Sequence, residues 1–221
     1  MRPARAGRGL RIAGWVLLPL GALLLAGGLV LRSAYPAHRV PGASMRPTYG
    51  PGDMLYAERV EPSEVRRGDV VLVSAPEWGV HGGLAVKRVI GMGGDRVTTD
   101  DRRVYVNGEP LSEPYVAGND PVAGTPGLDV RVPEGRLFLL GDNRGDSLDS
   151  RFHQDKAPGG TVPVTAVRER AVDSAAGSLA AGAGAGLGVI LALIGFGLAL
   201  AGWLTGRAGR RGGPQPARPV P

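Results

Sequence analysis

Ala85-Val86-Lys87-Arg88-Val89-Ile90 and Arg103-Val104-Tyr105-Val106-Asn107-Gly108 are the runs on which the fold turns. The first is short and apolar, interrupted by two cations. The second is β-branched and aromatic and ends on Asn-Gly. That dipeptide supplies the two positive φ angles of a type I′ hairpin turn. Arg103–Val106 is therefore expected to pair with a strand near Pro110–Tyr115. Working outward, Met54–Val60, Asp69–Ser74 and Arg136–Leu140 are similar runs set between Gly, Pro and Asp. Helical periodicity is poor throughout this region. Many short strands with frequent turns predict an all-β domain. Gly118–Asp129, rich in Gly, Pro and Asp, is expected to be an exposed loop.

Further out lie two uncharged runs. Ile12–Leu31 is long enough to cross the hydrocarbon core as a helix. A cleaved signal peptide is the competing reading, and the length of the run favours a retained anchor. The second run, Ser174–Thr205, is Ala- and Gly-rich at first. Residues 186–204 are its expected spanning part, with Gly188, Gly195, Gly197 and Gly202 small enough to admit a neighbouring helix. The expected organisation is a basic tail over 1–11, an anchor over 12–31, an extracytoplasmic β-rich domain over 32–173, a second transmembrane helix over 186–204 and a disordered basic tail over 205–221.

The 221-residue chain has a net charge of +6. Arg2, Arg5, Arg8 and Arg11 precede the first apolar run; Arg207, Arg210, Arg211 and Arg218 follow the last. These eight charges exceed the net value, so the segment between is net acidic. Basic tails flanking spans follow the positive-inside rule and require no nucleic acid. Both termini are then expected in the cytoplasm. The absence of cysteine excludes a thiol nucleophile, a disulfide scaffold and cysteine-ligated zinc. His38, His81 and His153 form no His-Glu-x-x-His pattern, which argues against a zinc peptidase.

Three segments hold candidate chemistry. Ser44 lies in Val40-Pro41-Gly42-Ala43-Ser44-Met45-Arg46-Pro47-Thr48, where prolines restrict the backbone and small residues leave space beside the hydroxyl. It begins about nine residues past the first run, at no more than ~3.5 Å each, so Ser44 stays near the bilayer. Lys87 alternates onto the face of Ala85 and Val89. Apolar surroundings lower a lysine's pKa by desolvating its charged form. Gly141–Arg151 is a polar loop carrying Asp142, Asn143, Arg144, Ser147, Asp149 and Arg151. On residue chemistry alone, a turn serine, a solvated strand lysine and a solvated loop are the better fits.

In that order, these segments resemble the signature boxes of type I signal peptidases (leader peptidases), which are membrane-bound Ser/Lys-dyad serine endopeptidases. Ser44-Met45-Arg46-Pro47-Thr48 is similar to Ser-Met-x-Pro-Thr, and Lys87-Arg88-Val89-Ile90-Gly91 to Lys-Arg-Val-x-Gly. Gly68-Asp69-Val70-Val71-Leu72-Val73 matches a further box, read as scaffold. The resemblance covers Val40 to Arg151. It implies a mainly β fold, a signal-peptidase-like antiparallel domain, with Ser44 as nucleophile and Lys87 as general base. It also implies that Ser147 hydrogen-bonds the lysine and that Asp149 and Arg151 form an ion pair, with Asp142, Asn143 and Arg144 supporting. Some relatives carry a serine two positions before the nucleophile as an oxyanion donor. Gly42 stands there, so the donors must be backbone N–H groups. Relatives often follow the lysine box with Pro-Gly-Asp, whereas this chain has Gly93-Gly94-Asp95. Val40, Pro41, Gly42, Met45, Tyr49 and Val86 are the candidate pocket walls.

The implied substrates are preproteins bearing signal peptides, and the implied partners are the lipid bilayer and the export translocon. No metal or organic cofactor and no nucleic acid is implied. The implied location is the plasma membrane of a bacterium, multi-pass, with the catalytic domain outside. The alternatives are a specialised Ser/Lys processing peptidase, a self-cleaving repressor-like domain and an inactive membrane-tethered β binding domain.

Overall fold

The computed structural model describes residues 4–116, 122–123, 127–172 and 184–211. The chain divides into two compact units, Ala34–Gly177 and a unit made of Met1–Ser33 with Ser178–Pro221.

The first unit is antiparallel β. Its strands are β1 (Ala37–Arg39), β2 (Met54–Arg59), β3 (Val70–Val73), β4 (Ala85–Met92), β5 (Arg96–Thr99), β6 (Val104–Val106), β7 (Glu109–Pro110), β8 (Asp129–Arg131), β9 (Arg136–Leu140), β10 (Val162–Pro163) and β11 (Val167–Ala171). One sheet has the order β1-β2-β11-β3-β4-β9-β10 and the other β7-β6-β5-β8. Every pairing is antiparallel. The five expected strands are present. The two-residue turn holds Asn107 at φ 55° and Gly108 at φ 85°, with Val106 opposite Glu109. The return arm is Glu109–Pro110 rather than Pro110–Tyr115, because the chain leaves the sheet there. Five strands were not legible: β1, β5, β8, β10 and β11. They are short and mostly polar, and backbone pairing rather than side-chain alternation defines them.

Central strands are buried on both faces, which makes their sequences continuous apolar runs. On β9, Leu137 and Leu139 enter one core with Val71, Val73 and Val89, while Phe138 and Leu140 enter another with Ile90, Val97 and Val130. A third cluster joins Val40, Leu55, Ala57 and Leu72. Val122 and Leu128, expected in an exposed loop, are buried in the second core. Apolar residues within a Gly/Pro-rich segment fold back once a neighbouring sheet offers a surface. Residues 118–121 and 124–126 of that loop lie outside the described residues.

A tight turn carries β4 into β5. Gly94 has φ +89°, and a Cβ at Gly93 would lie 3.0 Å from Glu134 Cα. The departure from Pro-Gly-Asp thus falls where the backbone passes close to Glu134.

The second unit pairs α1 (Ala4–Ala34) with a helix over Gly184–Arg211, here α2. α1 begins within the basic tail. α2 continues to Arg211, so 205–211 are helical, not disordered as expected; 212–221 lie outside the described residues. Ile12–Val30 is long and apolar enough to cross a membrane. Among the described residues α2 does not meet that measure, its apolar stretch being Val189–Ala201. Gly and Ala add little to insertion. The helices approach closely at glycines. A Cβ at Gly14 would meet Ala199 N at 2.5 Å, one at Gly21 would meet Ala192 N at 2.4 Å, and one at Gly195 would meet Leu18 N at 2.7 Å. Gly195, one of the four glycines small enough for such a role, takes it, whereas Gly197 faces open space.

Candidate active site

Ser44 sits on the loop between β1 and β2. The loop is closed at its base by Val40 N–H to Asp53 O at 2.9 Å and Gly52 N–H to Val40 O at 2.8 Å. Within it, Arg46 N–H donates to Ala43 O and Tyr49 N–H to Met45 O. Met45 is 0% exposed and anchors the turn in the protein. Its neighbour Ser44 is left half-buried at the surface.

Lys87 projects from the middle of β4, opposite Val71 on β3. It is 6% exposed. Its Nζ donates to Ser44 Oγ at 3.0 Å and to the Val86 carbonyl at 3.1 Å. Burial pushes the lysine below its ordinary pKa; Asp149 opposes this, Arg151 adds to it and Asp142 opposes it. A neutral amine at this distance accepts the hydroxyl proton, the reach that nucleophile activation requires.

The Gly141–Arg151 loop is a buried hydrogen-bonded network. Asp149 pairs with Arg151 through both carboxylate oxygens, at 2.8 and 2.9 Å, and accepts from Gly141 N–H at 3.1 Å. Arg151 also donates to the carbonyls of Ala123 and Arg144, each at 2.8 Å. Asn143 grips the nucleophile loop from below. Its N–H donates to Ser44 O at 3.0 Å and its side chain to Ala43 O at 3.2 Å. Asp142 takes a two-pronged contact from Arg88, at 2.8 and 2.6 Å, and accepts from Thr48 Oγ1 at 2.5 Å. Such forked charge-assisted bonds fix geometry as well as adding energy. Gly141 is demanded by crowding: a Cβ there would lie 2.5 Å from Ser44 O and 2.2 Å from Ser147 Oγ.

Ser147 is buried in the same site, yet its Oγ has no hydrogen-bond partner among the described residues. The second bond of Lys87 goes to the Val86 carbonyl instead. A cleft of about 450 Å³ opens at Ser44 and Lys87, walled by Gly42, Ala43, Ser147, Leu148 and Phe152. Of the expected pocket residues, Gly42 borders this cleft. Met45 and Val40 are buried, so neither offers it a surface. Tyr49 and Val86 pack, half-buried, against the Val40 cluster, and Pro41 is exposed. Leu148, 72% exposed, and Phe152, 44% exposed, were not anticipated as walls. Their apolar character within a polar loop was the available signal. Sequence reasoning also missed Arg88, Thr48 and Glu113. Arg88 and Thr48 were visible only as the second residue of one box and the last of another.

Two of the three histidines contact groups away from the dyad. His38 pairs with Glu169 at 2.5 Å, and His153 stacks on Trp78 at 5.0 Å between ring centroids.

The chain is similar to several known proteins. The family model for signal peptidase, peptidase S26, matches residues 12–173. A signal peptidase I of Bacillus licheniformis is 38% identical over 147 residues, covering 62% of this chain and 76% of that protein. A probable signal peptidase I-1 of Synechocystis sp. is 38% identical over 143 residues, covering 60% and 70%. A crystal structure of a signal peptidase I from Enterococcus faecalis V583 is similar at a TM-score of 0.40 and 29% identity, covering 50% of this chain and 97% of that one. With the family model spanning well over half of its length, the chain belongs to the signal peptidase family, peptidase S26.

Proposed function

We propose that this protein is a membrane-bound signal peptidase I that removes signal peptides from preproteins through a Ser44/Lys87 dyad. The observation that carries the reading is the 3.0 Å contact between Lys87 Nζ and Ser44 Oγ, made by a lysine that burial favours in its neutral form. Lys87 takes the hydroxyl proton as Ser44 attacks the scissile carbonyl. The resulting ammonium hands that proton to the leaving amine. Lys87, neutral again, activates the water that resolves the acyl-enzyme. Backbone N–H groups, that of Ser44 among them, bind the oxyanion, since Gly42 has no side-chain donor. One such donor is worth about 3–4 kcal/mol in comparable sites. Asp142, Asn143, Arg144, Asp149 and Arg151 hold the two loops in register. Ser147 Oγ becomes a partner of Lys87 once the ammonium forms.

α1 is the anchor in this reading, and the β unit lies on the extracytoplasmic face of a bacterial plasma membrane with both termini inside. α2 inserts beside α1. The support is the close approach at Gly14, Gly21 and Gly195, together with outward-facing Trp15, Leu23, Leu193 and Phe196. Packing through small residues suits helices in lipid.

Cleavage of a model preprotein by the purified chain tests the function. Ser44→Ala and Lys87→Ala should each lower kcat by on the order of 10³-fold or more while the protein still folds and inserts. Appreciable turnover by either variant at matched folding removes the dyad.

A further inference from the structure

The excursion between β7 and β8 supplies a partner to each of three arginines around the catalytic loops. Glu113, 3% exposed in its side chain, pairs with Arg144, 1% exposed. One of the two contacts, Arg144 Nη1 to Glu113 Oε2, is 3.2 Å. Tyr115 OH donates to Glu113 Oε1 at 3.2 Å. The face of the same ring lies under the Arg88 guanidinium, 3.9 Å from its centroid. Ala123 O accepts from Arg151 at 2.8 Å.

The arginines pass this restraint inward. Arg144 Nε donates to Gly141 O at 3.0 Å, and Gly141 is the residue crowded by the Ser44 carbonyl. Arg88 grips Asp142, which receives Thr48 from the nucleophile loop and is followed by Asn143, the donor to Ser44 O. Two chains of contacts thus run from Glu113 and Tyr115 to the backbone of the serine loop. Neither residue reaches Ser44 or Lys87 itself.

We infer that Glu113 and Tyr115 are positioning residues for peptide-bond cleavage, setting the Ser44–Lys87 geometry through Arg144 and Arg88. The inference rests on the dyad reading above. Its energetic basis is ordinary. A cation over an aromatic face is held more strongly when desolvated, and a buried ion pair confines both partners because either one alone is costly. Burial, followed by the neighbouring Glu113, pushes the Tyr115 phenol far above its ordinary pKa. It therefore stays a donor wherever the enzyme works.

Glu113→Gln would remove the charge of a buried partner of Arg144 and risks unfolding, so the Tyr115 series carries the test. Full-length parent, Tyr115→Phe and Tyr115→Leu are compared in detergent micelles on a model preprotein, with kcat, KM, the pH–rate profile and thermal unfolding measured for each. The Leu variant should lose about ten- to a hundredfold in kcat, the scale of a small misplacement, with KM within about twofold. The Phe variant, which keeps the ring over Arg88, should recover most of that loss. Loosened packing admits water to Lys87, whose low pKa comes chiefly from burial, with Asp149, Arg151 and Asp142 as the charges acting on it. The acid-side midpoint of the Leu variant should therefore move up in pH. A Leu variant as fast as the parent overturns the inference. So does a loss that follows the unfolded fraction at an unchanged midpoint, or a change confined to KM. A parent that does not cleave the preprotein refutes the dyad function instead.

Discussion

Lys87 shows how one side chain trades stability for reactivity. Its ordinary value is ~10.4, and burial lowers it in the folded state. Between the folded and unfolded values the unfolded chain binds the additional proton, so stability rises with pH across that window. Activity rises in the same direction, because only the neutral amine accepts the Ser44 proton. Lys87→Met should remove both slopes. The variant should be inactive yet unfold at a higher temperature than the parent at pH 7, the gap narrowing as pH approaches ~10.4. Thermal unfolding across that range, beside the parent's pH–rate profile, checks it. A parent profile with no transition below pH ~10, or a Met variant less stable at every pH, would contradict a depressed lysine.

Strand β4 is the element that makes this arrangement rigid. It lies between β3 and β9, with Val71 opposite Lys87 and Leu139 opposite Val89. A site on a central strand is held more tightly than one on a loop. Asp95 ties off the strand's end. It accepts from Met92 N–H, Arg67 and Asn107, each at 2.8 Å, and so joins the β4–β5 turn to the Asn107-Gly108 hairpin. Burial alone would raise the Asp95 pKa, but the bonds from Met92, Arg67 and Asn107 overcome it and the carboxyl is lowered. A carboxyl lowered on folding contributes stability above its ordinary value of ~3.9 and loses it as pH falls through the folded value. Asp95→Asn should therefore cost stability at pH 7, with the difference from the parent shrinking below about pH 4. Denaturant unfolding from pH 7 downward measures it; a difference independent of pH would show that Asp95 acts by shape alone.

The full chain poses a question of topology, and its lack of cysteine offers a direct answer. In intact cells a membrane-impermeant thiol reagent should label Asp101→Cys, an exposed position just past the end of β5. It should label Val220→Cys, next to the C-terminus, only after permeabilisation. Labelling of Val220→Cys in intact cells would mean that α2 does not cross. The Ser44–Lys87 site would be unaffected, since the residues that build it all come from the β unit.

Residue order already carried the boxes around Ser44, Lys87 and Gly141–Arg151, the first apolar span, and the strands β2, β3, β4, β6 and β9. Strands buried on both faces declare themselves as apolar runs, and the Asn107-Gly108 turn declares itself through its φ preference. Folding alone decided the rest. β1, β5, β8, β10 and β11 exist because backbone groups find partners across the sheets, and no side-chain pattern marks that. Glu113 meets Arg144, 31 positions away, and Arg88 meets Asp142, 54 positions away, only once two sheets and two loops have converged. Gly141 is required by a carbonyl from another segment. The cleft is bordered by Leu148 and Phe152 rather than by Met45, because the nucleophile loop turns Met45 inward to anchor itself. Sequence order names the reactive groups; long-range packing sets which of them touch.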